Sequence, residues 1–379
     1  MSPSDIIVNF LLFLLFICAL NIYFEPKSIY DQSSTKQFPL TCTCRNHLNQ
    51  TVDWFIIYKL PRLGSSENIF IKNGIGYMYL DSSSPLNQWH LSTESITSNL
   101  SIVGLTLQTL YDNFSSSAYI YYNDQPPNRP FTVSYGHSKG VLAFDDQTGF
   151  WLIHTVPHFP QIYNDGYIYP DTGRMYGQTM FCITLNTTTP RNTIEEISEQ
   201  FFYTHPLVYD YRLPTQFATK YHNLTLVTLN KSHVTQEPYY RIKSLETINP
   251  QLEILSFAKY GLMKIDIISE LIAPKLQTNL YSETWSNGNP NIPSNCTDIY
   301  HTENIQKLSF FNKYNFTVHS DHSKWVVGQD VKLKPWLCIG DMNRQYEQKL
   351  RHGGFACFYN SDIQQRFLEL IQGAEKCPI

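Results

Sequence analysis

The spacing of hydrophobic and polar positions changes several times along the chain of 379 residues. Phe10–Leu20 is an unbroken apolar run of eleven residues. As a helix rising about 1.5 Å per residue it spans little more than half of a hydrocarbon core about 30 Å thick. The run therefore predicts the core of a signal peptide over residues 1–24, with Cys18-Ala19 supplying small residues near the cut. The leading MSPSD lacks Lys and Arg, which leaves an uncleaved anchor as the alternative. No second run of this kind follows, so no membrane contact is expected once the leader is removed. VDWFIIYKLP, GIGYMYLDS and AYIYYN mix aromatic and β-branched residues and stop at turn formers, as strands do. The segments FTVSYGHSKG, GVLAFDD and GFWLIHTVPHF are strand-like in the same way. Apolar spacing behind Ser and Thr predicts a helix over 93–111.

A polar stretch with proline, NTTTPR at 186–191, reads as a linker. Beyond it, TIEEISEQFF, LETINPQLEIL and IDIISELIAPKL are helix-like, and TNLYSETW, KYNFTVHSDHSKWVV and PWLCIGDMN strand-like. The amphipathic SDIQQRFLELIQ closes the chain. This order predicts a mixed α/β (α+β) fold in two comparable halves, 25–190 and 191–379.

With 42% apolar residues the chain can bury a large core, which excludes a disordered class. The formal charge is −4, from 28 Lys+Arg and 32 Asp+Glu, and no polybasic block exists, so a bulk cationic nucleic-acid surface at neutral pH is excluded. Charging all 12 histidines would bring the sum to +8, so the sign can invert on acidification. Eight N-x-[ST] sequons, at Asn49, Asn99, Asn113, Asn186, Asn223, Asn230, Asn295 and Asn315, agree with export and glycosylation. Beyond the leader there are seven cysteines, none at zinc-finger spacing, so a structural zinc site is not expected. Three disulfides and one spare thiol, the latter in the Cys42/Cys44 pair, is the economical reading.

The chemistry lies in an internal repeat. Shifting the chain by 185 residues lays His137-Ser138-Lys139 on His322-Ser323-Lys324, and seven of 22 positions then match without gaps. Asp145 falls on Asp330, Trp151 on Trp336, and His158 on Asn343. In a strand, residues i and i+2 share a face, so each H-x-K would project an imidazole beside an ammonium. Two such pairs around one point suit a phosphodiester: cations and an amide hold the anionic oxygens, one His attacks phosphorus, and the other protonates the leaving oxygen. This chemistry needs neither metal nor cofactor.

The stretches YGHSKGVLAFDDQTGFWLIHTVPHFP, DHSKW, WLCIGDMNR, VDWFIIYKLP, YNDQPP and YGQTMFCIT resemble the deoxyribonuclease II family, from about Leu40 to Cys377. The resemblance implies a phospholipase D-like fold: two halves related by a pseudo-twofold axis, each with a central sheet flanked by helices. It implies metal-independent cleavage of double-stranded DNA at acidic pH, in lysosomes or secretions, leaving 3′-phosphate and 5′-hydroxyl ends. Position by position it implies His137 and Lys139 in one half, His322 and Lys324 in the other, and Asn343 as the amide, with His158 in the corresponding place. His137 is then the nucleophile and His322 the general acid. It also implies disulfides Cys44–Cys182, Cys296–Cys377 and Cys338–Cys357, with Cys42 left over.

Plainer readings compete for several positions. Asp145 and Asp330 are either supports of the site or turn residues at strand ends. His154 reads as structural, His319 as a neighbour, Trp151 and Trp336 as core aromatics, and Arg344 and Arg351 as outer phosphate contacts. Two other functions fit the sequence: a catalytically silent secreted binding protein on the same scaffold, and lipid cleavage of phospholipase D type. A monomer can complete the site, and a homodimer is equally compatible.

Overall fold

The structure, a computed structural model, describes residues 42–112, 117–127, 129–189, 193–249, 252–288 and 290–378. The expected leader, the sequon Asn113, and Pro190 and Arg191 of the linker lie outside the described residues. The first eight strands are β1 (Trp54–Lys59), β2 (Tyr77–Asp81), β3 (His90–Leu91), β4 (Ala118–Asn123), β5 (Lys139–Phe144), β6 (Thr148–His154), β7 (Gln178–Asn186) and β8 (Val208–Arg212). They form one antiparallel sheet in the order β3-β2-β1-β7-β6-β5-β4-β8. The others are β9 (Tyr240–Leu245), β10 (Ile254–Lys259), β11 (Leu280–Glu283), β12 (Thr302–Phe310), β13 (Tyr314–Thr317), β14 (Trp325–Gly328), β15 (Trp336–Gly340), β16 (Gly353–Tyr359) and β17 (Ile371–Glu375). Their order is β13-β12-β11-β14-β15-β16-β10-β9, with β17 also on β12 and only β11–β12 parallel.

Among the described residues, seven α-helices accompany the sheets: α1 (Ile69–Lys72), α2 (Ile102–Asp112), α3 (Thr193–Thr204), α4 (Thr215–Lys220), α5 (His222–Thr228), α6 (Ala273–Leu276, continuing a π-helical turn Ile268–Ile272) and α7 (Ser361–Leu368). Period-two alternation sends each sheet's side chains to two cores. Phe55, Ile57, Tyr121, Val141, Leu152 and Met180 pack with Ile102, Leu107 and Leu110 of α2. Phe257, Val326, Cys338 and Phe355 pack with Ile268, Ile272 and Leu276 around α6. The remaining faces meet each other in one shared core, where Phe181 of β7 stacks on Phe358 of β16 at 5.1 Å. The run β4-β5-β6-β7-β1 in the first sheet has the same connectivity as β11-β14-β15-β16-β10 in the second.

Outside the H-S-K segments, the architecture departs from the sequence reading in four places. The helix expected over 93–111 begins only at Ile102, because Ser95, Ser98 and Ser101 each accept a backbone N–H in a local turn. The described residues of LETINPQLEIL are not helical: Leu245 ends β9, and Ile254–Lys259 is a central strand buried on both faces. GGFACFY, which carried no expectation, is β16, the partner of both β10 and β15. Finally, β8 lies beyond residue 191 yet edges the first sheet, with α3 as the crossover leading back to it.

The disulfides are Cys44–Cys182, Cys296–Cys377 and Cys338–Cys357; Cys42 is buried and outside them. The first closes the largest loop, a sequence separation of 138. Loop-closure entropy makes its loss the costliest of the three, and replacing both Cys44 and Cys182 by Ser is expected to destabilise the fold by about 3–5 kcal/mol. Urea unfolding of the double variant checks this, and an unchanged midpoint would contradict it. Of the seven described sequon asparagines none is buried; Asn49, Asn99, Asn230 and Asn315 are exposed, and Asn186, Asn223 and Asn295 are partly so.

Candidate active site

The two H-S-K segments are not strands. β5 begins at Lys139 and β14 at Trp325, so His137 and His322 lie on the irregular approaches to them. Each approach is held by the other half of the molecule. His137 N–H donates to the His352 carbonyl at 2.9 Å, and His322 N–H to the Gly177 carbonyl at 2.8 Å. Both approaches require glycine for closeness. A Cβ at Gly136 would come within 1.8 Å of the Thr204 carbonyl oxygen, and one at Gly177 within 2.2 Å of the Asp321 carboxylate. Hence the imidazole and ammonium of one H-x-K share a neighbourhood through cross-half hydrogen bonds, and not through strand alternation.

His137 Nδ1 donates to the main-chain carbonyl of Asp341, on the connection from β15 to β16. His322 Nδ1 lies 3.2 Å from Gln178 Oε1, at the start of β7, and its ring also faces the main-chain carbonyl of Thr155. Lys139 is buried and pairs with Asp124, whose second oxygen accepts from Arg351 at 3.1 Å. Lys324 Nζ donates to the His322 carbonyl at 2.6 Å and stands 3.3 Å from His322 Nδ1. Trp285 meets the His322 ring edge-on, with centroids 5.0 Å apart.

Burial, then Lys139, Arg351 and Lys324, hold the His137 imidazole well below its ordinary pKa. His322 is depressed in the same way, by desolvation first and then by Lys324, Lys139 and His137. Each histidine thus feels both lysines. Burial and Lys139 push Lys324 well down, and burial lifts the Asp341 carboxyl to about 7. An imidazole of ordinary pKa, charged a unit below 6.5, is therefore not what the free protein offers. Five of the twelve histidines (137, 154, 205, 322 and 352) are shifted down, chiefly by burial, so a charge of +8 is out of reach under mild acid.

Other expected residues fall elsewhere. Asp145 and Asp330 close turns: each Oδ1 accepts two backbone N–H groups, from Gln147 and Thr148 and from Lys332 and Leu333. Asp145 follows directly on the six-residue β5 that Lys139 begins, about 20 Å away at about 3.3 Å per residue, so it does not support the site. Asp330 lies just beyond β14, likewise at the end remote from Lys324. Asn343 is buried in the β15–β16 connection, and its Oδ1 has no hydrogen-bond partner among the described residues.

His158 is partly exposed, with φ 59°, and its N–H is tied to the Gln125 carbonyl. Strand register shows why it and Asn343 are not equivalent. Val141 pairs with Leu152, but Val326, its match in the repeat, pairs with Cys338 and not Leu337. The second hairpin is one residue longer, so Leu337 takes the place of Trp151 in the shared core and Pro157 is the counterpart of Asn343. Carried into the next pairs, Leu152–Cys182 and Cys338–Cys357, the same register makes Thr155 equivalent to Asp341 and Gln178 to Gly353.

His154 is fully buried in the first sheet, and His319 bonds Ser286 and Asn287 outside the cluster. Arg344 and Arg351 are buried in ion pairs with Asp266 and Asp124, so neither is an outer phosphate contact. Gln178, Asp124, Asp341 and Trp285 were not anticipated. Asp124 lies in YNDQPP, Gln178 in YGQTMFCIT and Asp341 in WLCIGDMNR, stretches that carried the family resemblance without assigning these residues roles. Among the described residues no group of three or more His, Cys, Asp or Glu is arranged to hold a metal ion.

Two lysines, two imidazoles and the Gln178 amide meet between the two sheets of a mixed α/β fold, and comparison with known proteins places the chain. The deoxyribonuclease II family profile matches residues 43–377. The chain is 36% identical to human deoxyribonuclease-2-beta over 89% of its length and 92% of the relative. It is 37% identical to pig deoxyribonuclease-2-alpha, covering 89% and 91%, and 36% identical to plancitoxin-1 of Acanthaster planci, covering 88% and 92%. The chain belongs to the deoxyribonuclease II family.

Proposed function

We propose that the protein is an exported or lysosomal acid endonuclease that hydrolyses double-stranded DNA without metal, leaving 3′-phosphate and 5′-hydroxyl ends. Its two halves, dividing near residues 190/191 with β8 returned to the first sheet, are related by a pseudo-twofold axis in the phospholipase D-like manner. The shared connectivity of β4-β5-β6-β7-β1 and β11-β14-β15-β16-β10 supports that relation. The observation that carries the function is the convergence of the two H-S-K segments, each histidine depressed by both lysines and held by the other half.

In this reading Lys139, Lys324 and Asn343 hold the nonbridging oxygens, with His158 at most an outer support. Nδ1 of His137 is occupied by a carbonyl, so Nε2 carries the lone pair and attacks phosphorus. The P–O5′ bond breaks and His322 gives its proton to O5′, leaving a 3′-phosphoryl group on His137. Water then attacks phosphorus, its proton returns to His322, the P–N bond breaks, and the 3′-phosphate leaves. The nucleophile needs a neutral imidazole and the acid a charged one. Both are disfavoured as cations in the free protein, so the acid gains its proton only as pH falls or as the phosphodiester's charge offsets the lysines. Activity therefore rises on acidification, and substrate binding takes up a proton.

Nicking of plasmid in EDTA tests this. Cleavage is expected at about pH 5, with at least a tenfold loss by about pH 7.5. A folded protein that leaves plasmid intact at both values would favour the silent binding protein.

A further inference from the structure

The two histidines occupy equivalent places, yet their surroundings differ at one side chain. Thr155 and Asp341 are counterparts in register, and each turns its main-chain carbonyl to the histidine of the other half. The residues opposite them match as well: Thr179 N–H donates to Thr155 Oγ1 at 3.0 Å, as Gly354 N–H does to Asp341 Oδ1 at 2.9 Å. The symmetry fails one position earlier, where β7 begins with Gln178 and β16 with Gly353. No side chain fits at the second place, since a Cβ on Gly353 would lie 2.1 Å from the Met342 sulfur.

Gln178 is almost wholly buried, and the orientation of its amide is fixed by a neighbour. Thr155 Oγ1 accepts the Thr179 N–H, so its own proton is free to donate to Gln178 Oε1, 2.6 Å away. With that bond made, it is the amide oxygen that also faces His322 Nδ1, at 3.2 Å. The acceptor favours hydrogen on Nδ1, against Lys324 Nζ, a donor 3.3 Å from the same nitrogen that already donates to the His322 carbonyl, and it lowers the free energy of the charged ring. His137 has only a carbonyl at its Nδ1 and is the more deeply buried ring. The charged groups that face His322 are Lys324 beside it and Lys139 and His137 from the first half; Asp321, Asp341 and Asp124 bear on Lys324, which in turn bears on the buried Glu283.

We infer that Gln178 is a positioning residue that makes the two histidines unequal, selecting His322 as the proton donor and setting the pH below which the enzyme works. The inference rests on the two-histidine reading above and adds the residue that divides the roles. A neutral amide gives modest help, so the acid stays uncharged until the medium is acidic. A carboxylate at the same place would stabilise the imidazolium far more.

The test uses the full glycosylated protein, with plasmid cleavage in EDTA across pH and 15N NMR of the histidine rings. Gln178→Glu is expected to raise the midpoint of the neutral-side loss of activity by about 1–2 pH units, with His322's titration moving equally. Gln178→Ala is expected to move both down, lowering kcat with little change in KM. In the wild type, neutral His322 is expected as the Nδ1–H tautomer, and Thr155→Val is expected to reduce that tautomer's share. An Nε2–H tautomer in the wild type, or an unmoved profile and titration in a folded Gln178→Glu, would overturn the inference. The ring spectra need no turnover, so a wild type inactive at every pH sinks the nuclease reading while the titrations still judge Gln178.

Discussion

Replacing His322 by Ala should abolish cleavage of DNA but spare an activated ester, whereas replacing His137 should abolish both. The 5′-oxygen of DNA leaves as an alkoxide and needs a proton, so loss of the general acid should cost about 10²–10⁴-fold. In thymidine 3′-(4-nitrophenyl phosphate) the leaving phenolate needs none. With that substrate His322→Ala should retain the first step, seen as a burst of nitrophenolate, and accumulate phosphoryl-enzyme, because the remaining imidazole cannot activate water. His137→Ala lacks the nucleophile and should lose about 10⁴-fold or more with either substrate. The reverse pattern would exchange the two roles. Equal losses with both substrates would remove the division of labour altogether.

The second large effect concerns a residue that touches no substrate in this reading. Asp124→Asn should destabilise the protein by about 3–5 kcal/mol, because a single carboxylate balances the buried cations of Lys139 and Arg351. An uncharged amide keeps the shape and leaves both charges unpaired. Activity should fall with stability, since Lys139 is then free to turn from its place. Adding Lys139→Met to Asp124→Asn should restore part of the stability and none of the activity. Thermal unfolding of the four proteins in the cycle measures the coupling, and simple additivity would show that the pair contributes nothing specific.

The residues of the candidate site were more legible in the sequence than their arrangement. H-S-K twice in one frame picked out the two imidazoles and two lysines that converge, because rare residue types at a fixed shift survive irregular backbone. The same triplets misled about conformation: alternation along a strand was the simplest way to aim His and Lys together, and the structure uses glycine-permitted approaches between halves. The ungapped repeat also paired Trp151 with Trp336 and His158 with Asn343. A hairpin longer by one residue undoes both matches, and identical residues at a shifted register give no hint of it. Asp124 and Gln178 were hidden for another reason. Their importance comes from partners more than 100 residues away, Arg351 for one and His322 for the other, which no local pattern contains.

The core shared by the two sheets has a consequence for how the molecule comes apart. Trp54 and Phe181 of the first sheet and Phe358 of the second cover one another, and Tyr58 of β1 bonds Ser323 beside the second lysine. Neither sheet has a private hydrophobic face on that side. Heat should therefore melt both in one calorimetric transition, with calorimetric and van't Hoff enthalpies in agreement, despite a length that ordinarily suggests two domains. A gene fragment encoding either sheet alone would expose that face to water and yield aggregate, so the two halves are inseparable in the test tube however alike their chain paths are.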